Sequence, residues 1–136
     1  MQERTIPNHP LDRLATVPGV SELPLSTRQS IDRMSCEVHV RQGETLIRKG
    51  QIGNQAFIIT EGRVEIRDDG RHIATRTAGD FVGEAVILWG GLRSADVVAQ
   101  SDLTMLVMST TELVTLYDDP AFRSWAEGRI ATHAGA

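Results

Sequence analysis

Cysteine and long apolar runs are the scarcest features of this 136-residue sequence. Its single cysteine, Cys36, excludes an internal disulfide and is typical of a protein from a reducing compartment. No apolar run approaches the roughly 20 residues that span a bilayer, and the N-terminus lacks the apolar core of a secretory signal. We therefore expect a cytoplasmic protein with no membrane segment.

An excess of positive charge is also absent. The 14 lysines and arginines are outnumbered by 18 aspartates and glutamates, which gives a formal net charge of −4. Basic residues are interleaved with acidic ones along the chain, as on an ordinary solvated surface. Since nucleic-acid binding depends on a basic surface, direct DNA binding is not expected.

Residue patterns for metal-dependent or nucleophilic catalysis are missing too. The four histidines are scattered, and His39-Val40-Arg41 lacks the second histidine of the His-x-His pair with which cupin jelly rolls hold a metal. No Gly-x-Ser-x-Gly motif or comparable nucleophile signature occurs in the sequence. We expect a non-enzymatic protein without a metal cofactor.

The chain consists of short apolar strands between two helical ends. Alternating apolar residues separated by glycine-rich turns are typical of an antiparallel sandwich or jelly roll. The predicted fold is mainly β, an antiparallel β jelly roll with flanking helices. The predicted divisions are a flexible lead-in at 1–10 and a single domain at 11–136, with helices at 11–35, a β roll at 36–108 and C-terminal helices at 109–131.

Local sequence signals predict where several of these helices and strands begin or end. Asp68-Asp69-Gly70 predicts a hairpin turn, because aspartate and glycine adopt the positive φ that tight hairpins need. Ser109 and Glu112 have the spacing of a capping box, which opens a helix. Pro120 ends that helix and separates it from a last helix.

The stretch 79–96 contains residues that are suited to form a small phosphate-binding site. Gly83 lets the backbone approach a ligand closely, because it has no Cβ. A helix turn beginning at Glu84 would direct free N–H groups and a positive dipole end at an anion. Arg93 is a permanently charged fork that can hold two phosphate oxygens, and Ser94 adds a hydroxyl donor beside it.

This stretch resembles the phosphate-binding cassette of the cyclic nucleotide-binding domain family. That cassette runs Gly-Asp/Glu-x-Phe-Gly-Glu-x-Ala-Leu, then a short loop, then Arg-Ser/Thr/Ala-Ala-Thr. The resemblance extends over residues 25–125 through a second segment, Gly50-Gln51-x-Gly53-Asn54-x-x-Phe57-Ile58-Ile59-x-x-Gly62-x-Val64-x-Ile66. It implies the jelly-roll fold of that family and a cyclic nucleotide as the ligand.

The resemblance also implies a role for each cassette residue. Glu84 corresponds to the glutamate that binds the ribose 2′-hydroxyl, and Arg93 to the arginine that pairs with the cyclic phosphate. Ser94 corresponds to the residue that contacts the phosphate and, with guanine, the amino group of the base. The complete set of implied ligand-binding residues is Ile66, Ile73, Gly83, Glu84, Ala85, Arg93, Ser94 and Ala95.

Four residues depart from the cassette of the family. Val82 precedes the glycine where the cassette has phenylalanine, and the aromatic residue stands one position earlier, at Phe81. Val86 stands where the family usually has alanine, Leu92 replaces a frequent proline, and Asp96 replaces a common threonine. An aspartate that points toward an anion site lowers its affinity. Two functions therefore remain open: a cyclic nucleotide sensor, and a degenerate domain that binds no nucleotide and acts as a protein-interaction scaffold. A third function, that of a metal-dependent cupin-type enzyme, has the least support in the sequence.

For the sensor, we expect cAMP to bind at least as well as cGMP. Ile66 and Ile73 offer the base only apolar contact, which discriminates little between purines, and Ser94 is the single guanine-specific donor evident in the sequence. Without ligand, Arg93 has no buried partner that the sequence reveals. Replacing Arg93 is therefore predicted to cost the unliganded fold little.

The resemblance further implies how binding is transmitted. In the family the terminal helices move when ligand binds, and a lid helix swings onto the base. Trp125 or Arg129 could make that contact, although ordinary packing is the stronger interpretation of Trp125. No effector segment follows in the sequence, so we expect an unknown effector protein on another chain, and a homodimer is possible.

Overall fold

The computed structural model describes residue 14 and residues 17–84 and 90–132, with side chains as far as residue 129. Its helices are a 3-10 turn at Val20–Glu22, α1 at Leu25–Arg33, α2 at Thr110–Tyr117 and α3 at Pro120–Thr132. Its strands are β1 Cys36–Val40, β2 Thr45–Ile47, β3 Gln55–Glu61, β4 Arg63–Asp68, β5 Arg71–Thr77, β6 Phe81–Val82, β7 Asp96–Ala99 and β8 Leu103–Ser109.

The strands form two four-stranded antiparallel sheets that face each other. The first has the order β1-β8-β3-β6 and the second the order β2-β7-β4-β5. Apolar side chains from both sheets fill the space between them, with Ile59 and Met105 from the first sheet meeting Val64 and Val97 from the second. The predicted antiparallel jelly roll with flanking helices is therefore confirmed.

Strand β3 is buried on both faces, which explains its continuous apolar run. Phe57 and Ile59 point into the space between the sheets, whereas Ala56 and Ile58 belong to a second core beneath the helices. Because successive side chains of a strand face opposite ways, a strand buried on both sides needs apolar residues at every position.

The second core lies between the outer face of the first sheet and the terminal helices. Val20, Ile31, Leu116 and Phe122 come from the helical segments and are at most 2% exposed. The N-terminal and C-terminal segments thus cover the same face of the β roll. The oxygen Oδ2 of Asp119, between α2 and α3, accepts a 2.7 Å hydrogen bond from the α1 residue Thr27.

The local turn and cap predictions are confirmed. Asp69 and Gly70 have φ of 54° and 82° and connect β4 to β5. Ser109 and Glu112 form a reciprocal capping box at the start of α2. Proline 120 begins α3, which fits its preference for the first turn of a helix.

Some predictions fall outside the described residues or differ from what is described. The lead-in at 1–10 and, apart from Leu14, residues 11–16 of the predicted helical segment lie outside them, as does the predicted cassette helix beyond Glu84. The short strand β6 was not predicted, because two residues carry no periodicity and its pairing with β3 is long-range. No helix of the described residues is long and apolar enough to cross a membrane.

Candidate ligand-binding site

The candidate site lies where two loops meet the end of β6. The backbone N–H of Arg93 donates to the carbonyl of Gln51 at 2.9 Å, and the N–H of Gly50 donates to the carbonyl of Arg93 at 2.8 Å. An isolated bridge joins Ile52 to Leu92 in the same loops. These contacts hold the loop before β3 against the loop before β7, so the position of Arg93 is fixed by its backbone.

The side chain of Arg93 points from this loop into the cassette. Its Nη1 donates to the carbonyl of Gly83 at 2.7 Å, and its Nη2 donates to the carbonyl of Gln55 at 2.6 Å. The residue is 8% exposed. Arg93 therefore has two part-buried partners within the protein, which corrects the prediction that it has none.

The charge of Arg93 is not neutralised by an ion pair among the described residues. Burial lowers the pKa of its guanidinium, and the negative charge of Glu84 partly offsets that effect. Since an arginine stays protonated in proteins in any case, the site contains a buried cation held by neutral carbonyl groups. Such a cation is suited to bind an anion.

Two glycines leave the space that the guanidinium occupies. A Cβ on Gly53 would lie 2.5 Å from Cζ of Arg93, and a Cβ on Gly83 would lie 2.7 Å from its Nη1. Gly83 also has a φ of 84°, which residues with a side chain rarely adopt. Both positions therefore require glycine as long as Arg93 keeps this conformation.

Glu84 acts electrostatically on both Arg93 and Tyr117, the last residue of α2. It is half-buried, and its charge acts on the pKa of Arg93. The pKa of the Tyr117 hydroxyl is raised by burial first, then by Glu127 and by Glu84. The structure thus brings Gly83, Glu84 and Arg93 together, as the resemblance implied. Their contacts with a nucleotide stay a prediction.

The remaining cassette residues are placed as follows. Ser94 is exposed and Ala95 is half-buried, both directly before β7, while Ala85 lies outside the described residues. Oδ1 of Asp96 accepts a 2.8 Å hydrogen bond from the backbone N–H of Lys49. The carboxylate of Asp96 is thus engaged by a neighbouring turn, and it forms no ion pair with Arg93.

The two predicted apolar ligand contacts differ in their surroundings. Ile66 pairs with Ala74 and packs against the core between the sheets. Ile73 lies where the register of β4 and β5 shifts, is 40% exposed and belongs to neither core cluster. Ile66 therefore faces the core between the sheets, whereas Ile73 is exposed, which corrects the interpretation that both lie on the inward face. The roles of both in binding stay predictions.

The two candidate lid residues serve as anchors of α3. Nε1 of Trp125 donates to the carbonyl of Pro18 at 3.0 Å, and its ring lies 5.4 Å from that of Phe81. Arg129 donates from Nε to the carbonyl of Gly79 at 3.0 Å. In this structure Trp125 has the packing role that was the stronger interpretation.

The sequence did not reveal the structural roles of two charged residues, Asp80 within the cassette and Arg76 on the strand before it. Asp80, which is 4% exposed, accepts a 2.9 Å hydrogen bond from Nη2 of Arg129. Arg76 on β5 is 9% exposed and occupies a buried position of a strand whose residues alternate between buried and exposed. The alternation of Ala74-Thr75-Arg76 was the available signal for Arg76, whereas nothing local indicated the partner of Asp80. Among the described residues, no group of histidine, cysteine and carboxylate side chains could hold a metal ion.

Comparison with known proteins identifies the family. A profile of the cyclic nucleotide-binding domain matches residues 37–119. The chain belongs to the cyclic nucleotide-binding domain family. The resemblance drawn from the cassette is thereby confirmed.

Relatives in this family include proteins of different kinds. The chain is 35% identical over 122 residues to an uncharacterised protein of Mycobacterium tuberculosis, covering 87% of this chain and 23% of that protein. It is 34% identical over 93 residues to the cAMP-dependent protein kinase regulatory subunit of Schizosaccharomyces pombe, covering 68% of this chain and 23% of that protein. It is 30% identical over 95 residues to the cGMP-dependent protein kinase egl-4 of Caenorhabditis elegans, covering 67% and 12%. The chain thus spans less than a quarter of the length of each.

Solved structures share the fold at lower identity. The regulatory domain of Toxoplasma gondii protein kinase A with cAMP has a TM-score of 0.72 at 17% identity, covering 87% of this chain and 47% of that one. The regulatory subunit of a cAMP-independent protein kinase A from Trypanosoma brucei has a TM-score of 0.66 at 23% identity, covering 87% and 49%. The fold therefore occurs in proteins described as bound to cAMP and in one described as independent of it.

Proposed function

We propose that this domain is a non-enzymatic sensor of a purine 3′,5′-cyclic nucleotide. The observation that carries the proposal is the buried guanidinium of Arg93, whose Nη1 lies 2.7 Å from the Gly83 carbonyl inside a cassette of the matched family. A cyclic phosphate has one negative charge and two exocyclic oxygens, which fit the arginine fork.

Binding of the phosphate would exchange acceptors around Arg93. In this structure the carbonyls of Gly83 and Gln55 accept its hydrogen bonds. Charged phosphate oxygens are stronger acceptors than carbonyls, so the phosphate competes with them for the same donors. Releasing the Gly83 carbonyl would let the cassette backbone turn, which is a direct route from binding to a change in conformation.

The ribose would lie against Glu84, whose carboxylate can accept a hydrogen bond from the 2′-hydroxyl. Relatives of this chain include one kinase described as cAMP-dependent and one described as cGMP-dependent, so the family alone leaves the purine open. The sequence favours cAMP, because Ser94 is the only group evident in it that would form a hydrogen bond specific to guanine. Ser94 itself is exposed and makes no side-chain hydrogen bond among the described residues.

The output of the sensor would be a movement of the terminal helices. Arg129 attaches α3 to Gly79 and Asp80, four and three residues before Gly83. A turn of the cassette backbone would change these contacts and with them the docking of α3. A separate effector protein would then bind the faces that the helices expose or cover. The ligand must favour one arrangement over the other for this to work.

A second function, a nucleotide-free scaffold, is favoured by one specific observation. The donors of Arg93 that would hold a phosphate are already satisfied by carbonyl groups in the cassette. A protein that binds no nucleotide would keep this arrangement permanently, and Arg93 would then serve only to connect two loops.

Isothermal titration with cAMP and with cGMP separates the two functions. For a sensor we expect saturable binding of at least one of them to the wild type, and a loss of about tenfold or more in affinity for Arg93→Lys, which keeps the charge but removes the fork. Absence of heat and of any thermal shift with millimolar amounts of both nucleotides would refute the sensor and leave the scaffold.

A further inference from the structure

Strand β1 is a regular, unprotected edge of the β roll. The described residues contain four edge strands, β1 and β6 in the first sheet and β2 and β5 in the second. β6 has only two residues, and the pairings of β2 and β5 with their neighbours are each interrupted by a register shift. β1 has five residues, Cys36–Val40, which pair with β8 without any shift. Shortness, a bulge or a proline usually protects an edge from a further strand, and β1 has none of these three.

The outer side of β1 offers backbone groups to another strand. The N–H and C=O groups of an antiparallel strand point to alternate sides, so β1 uses about half of them with β8 and presents the others on its free side. Within the described part of the chain, residues 36–40 form no backbone hydrogen bond outside their ladder with β8. The side chains of Cys36, Glu37 and His39 are exposed. The edge is therefore open to a strand from outside the domain.

The sequence of β1 is complementary to itself. In a two-fold dimer, two copies of an edge strand run antiparallel and one residue lies opposite its own copy. Centring the pair on Val38 gives every residue of β1 a partner: Val38 faces Val38, Glu37 faces His39, and Cys36 faces Val40. Centring it on Glu37 would instead oppose two carboxylates, and centring it on His39 would leave Cys36 without an opposite strand residue. The Val38-centred register is therefore favoured.

Both faces of this strand pair would carry suitable side chains. Val38 and Val40 are half-buried and pack against the core between the sheets, so opposed valines would continue that apolar layer from one roll into the next. On the other face, Nδ1 of His39 lies 3.2 Å from the hydroxyl of Thr104, which leaves Nε2 for the carboxylate of the opposite Glu37. Two-fold symmetry would form this contact twice in each dimer.

We propose that β1 is a dimerisation edge and that its partner is β1 of a second copy of this chain. The two four-stranded sheets would then form one eight-stranded sheet in the order β6-β3-β8-β1-β1-β8-β3-β6. Because β1 and β6 lie at opposite edges of the first sheet, the cassette that follows β6 would stay open in the dimer. The inference therefore does not depend on the proposed function.

The dimer should be weak and reversible. A pair of five-residue strands buries less than the roughly 1,200 Å² of a stable specific interface, so we expect a dissociation constant in the micromolar range or above. Sedimentation equilibrium of the wild type without nucleotide, from about 10 μM to about 1 mM, should show the monomer converting to a dimer. A monomer at every concentration would overturn the proposal.

Disulfide crosslinking tests the edge and its register. Val38→Cys in a Cys36→Ser background places two thiols directly opposite each other, at a Cα separation of about 4.5–5.5 Å that a disulfide can bridge. Mild oxidation should therefore crosslink this variant. The wild type is the matched control, because its exposed Cys36 would lie four residues along the strand from its copy, roughly 14 Å away. No crosslinking of the variant, or equal crosslinking of both proteins, would show that β1 does not pair with itself in this register.

Exchanging charges tests the contact between Glu37 and His39. His39→Glu places a carboxylate against Glu37 twice in each dimer and should raise the dissociation constant about tenfold. A mixture of this variant with Glu37→Lys should dimerise more tightly than either variant alone, because the new lysine then faces the new glutamate. An unchanged dissociation constant for His39→Glu, with no preference in the mixture, would overturn the proposed register. If His39→Glu fails to fold, the crosslinking of Val38→Cys still decides.

The outcomes are independent of those for the proposed function. If a cyclic nucleotide binds and the wild type stays monomeric, the dimerisation edge is wrong and the sensor stands. If the wild type dimerises and Val38→Cys crosslinks while neither nucleotide binds, the sensor is wrong and the dimerisation edge stands.

Discussion

Arg129 and Asp80 join the last helix to the start of the cassette. Nη2 of Arg129 donates to Oδ1 of Asp80 at 2.9 Å, and the aspartate side chain is only 5% exposed. The other oxygen of Asp80 accepts from the backbone N–H of Thr77 at 2.8 Å. One carboxylate thus connects the end of β5 to α3. A change in the conformation of either element therefore alters the contacts of the other.

Replacing Arg129 should release α3 and destabilise the domain. Arg129→Ala removes a hydrogen bond between charged groups from the buried carboxylate of Asp80, so we expect a loss of about 1.5–3 kcal/mol in the free energy of unfolding. Urea denaturation measures it. The matched control is Arg33→Ala at the exposed end of α1, where one 3.2 Å bond to Ser30 is lost and the change should stay within about 0.5 kcal/mol. Equal losses for both variants would contradict a role for the Asp80 contact.

A methyl group at position 53 should displace the arginine fork. The Cβ of Gly53→Ala would lie 2.5 Å from Cζ of Arg93, and Gly53 does not have a positive φ, so the effect is steric and not conformational. We expect nucleotide affinity to fall about tenfold or more, because the phosphate loses its aligned partner. Gly128→Ala is the control, since its Cβ meets nothing within 4 Å. That variant should retain binding and gain about 0.5–1 kcal/mol of stability in α3.

The parts of the fold that depend on neighbouring residues could be predicted from the sequence. The hairpin at Asp69-Gly70 and the cap at Ser109 are set by residue type within four positions. The contact of Arg129 with Asp80 spans 49 positions, and nothing in either segment alone specifies it. Long-range pairings of this kind depend on how the sheets and helices pack, which single-sequence patterns do not contain.

The site could be predicted in part. The resemblance assigned Gly83 and Arg93 to the same cassette, and the two residues are in contact at 2.7 Å. The partner of Asp96 could not be predicted, because its hydrogen bond to the Lys49 backbone depends on how two loops meet. The burial of Arg76 could have been inferred from strand alternation, but a charged side chain is usually assigned to the exposed face.

Acid should weaken the contact between α1 and the α2–α3 connection. The hydrogen bond from Thr27 is the largest cause of the lowered pKa of Asp119. A carboxylate whose pKa is lower in the folded state contributes stability above its unfolded pKa, and that contribution is lost as pH falls through the folded pKa. Thr27→Val should therefore lower stability at neutral pH, and its difference from the wild type should shrink as pH falls through the lowered pKa of Asp119. Urea midpoints measured across this range test it, and a constant difference at every pH would show that Asp119 titration is not involved.

Glu84 should act specifically on the ribose hydroxyl. A hydrogen bond to a charged group contributes roughly 1.5–3 kcal/mol, so Glu84→Gln should weaken the preferred cyclic nucleotide by about one to two factors of ten. The 2′-deoxy form of the same nucleotide lacks the hydroxyl and should lose much less. Titrating both nucleotides into the wild type and into Glu84→Gln gives the coupling free energy between the carboxylate and the 2′-hydroxyl. Equal losses would indicate that Glu84 instead supports the cassette backbone or the charge of Arg93.

Arg93 should stabilise the domain even without ligand. Its two hydrogen bonds, 2.7 Å to Gly83 and 2.6 Å to Gln55, connect the cassette to the start of β3. Arg93→Ala removes both and leaves two part-buried carbonyls without their donor. We expect a loss of about 1–3 kcal/mol, equivalent to a melting temperature lower by on the order of 5–10 °C. The sequence alone predicted almost no loss, because these carbonyl partners come together only in the fold.

The same variant should lose the stabilisation that ligand provides. Nucleotide at 100 times its dissociation constant adds roughly 2.7 kcal/mol to the wild type, which raises its melting temperature measurably. Arg93→Ala should show no such rise at the same concentration, because the phosphate has lost its cation. Scanning calorimetry with and without nucleotide measures both effects. If the unliganded variant melts like the wild type, the two carbonyl contacts do not stabilise the domain. If both proteins gain equally from ligand, the nucleotide binds away from Arg93, because a ligand held by that guanidinium cannot stabilise a protein that lacks it.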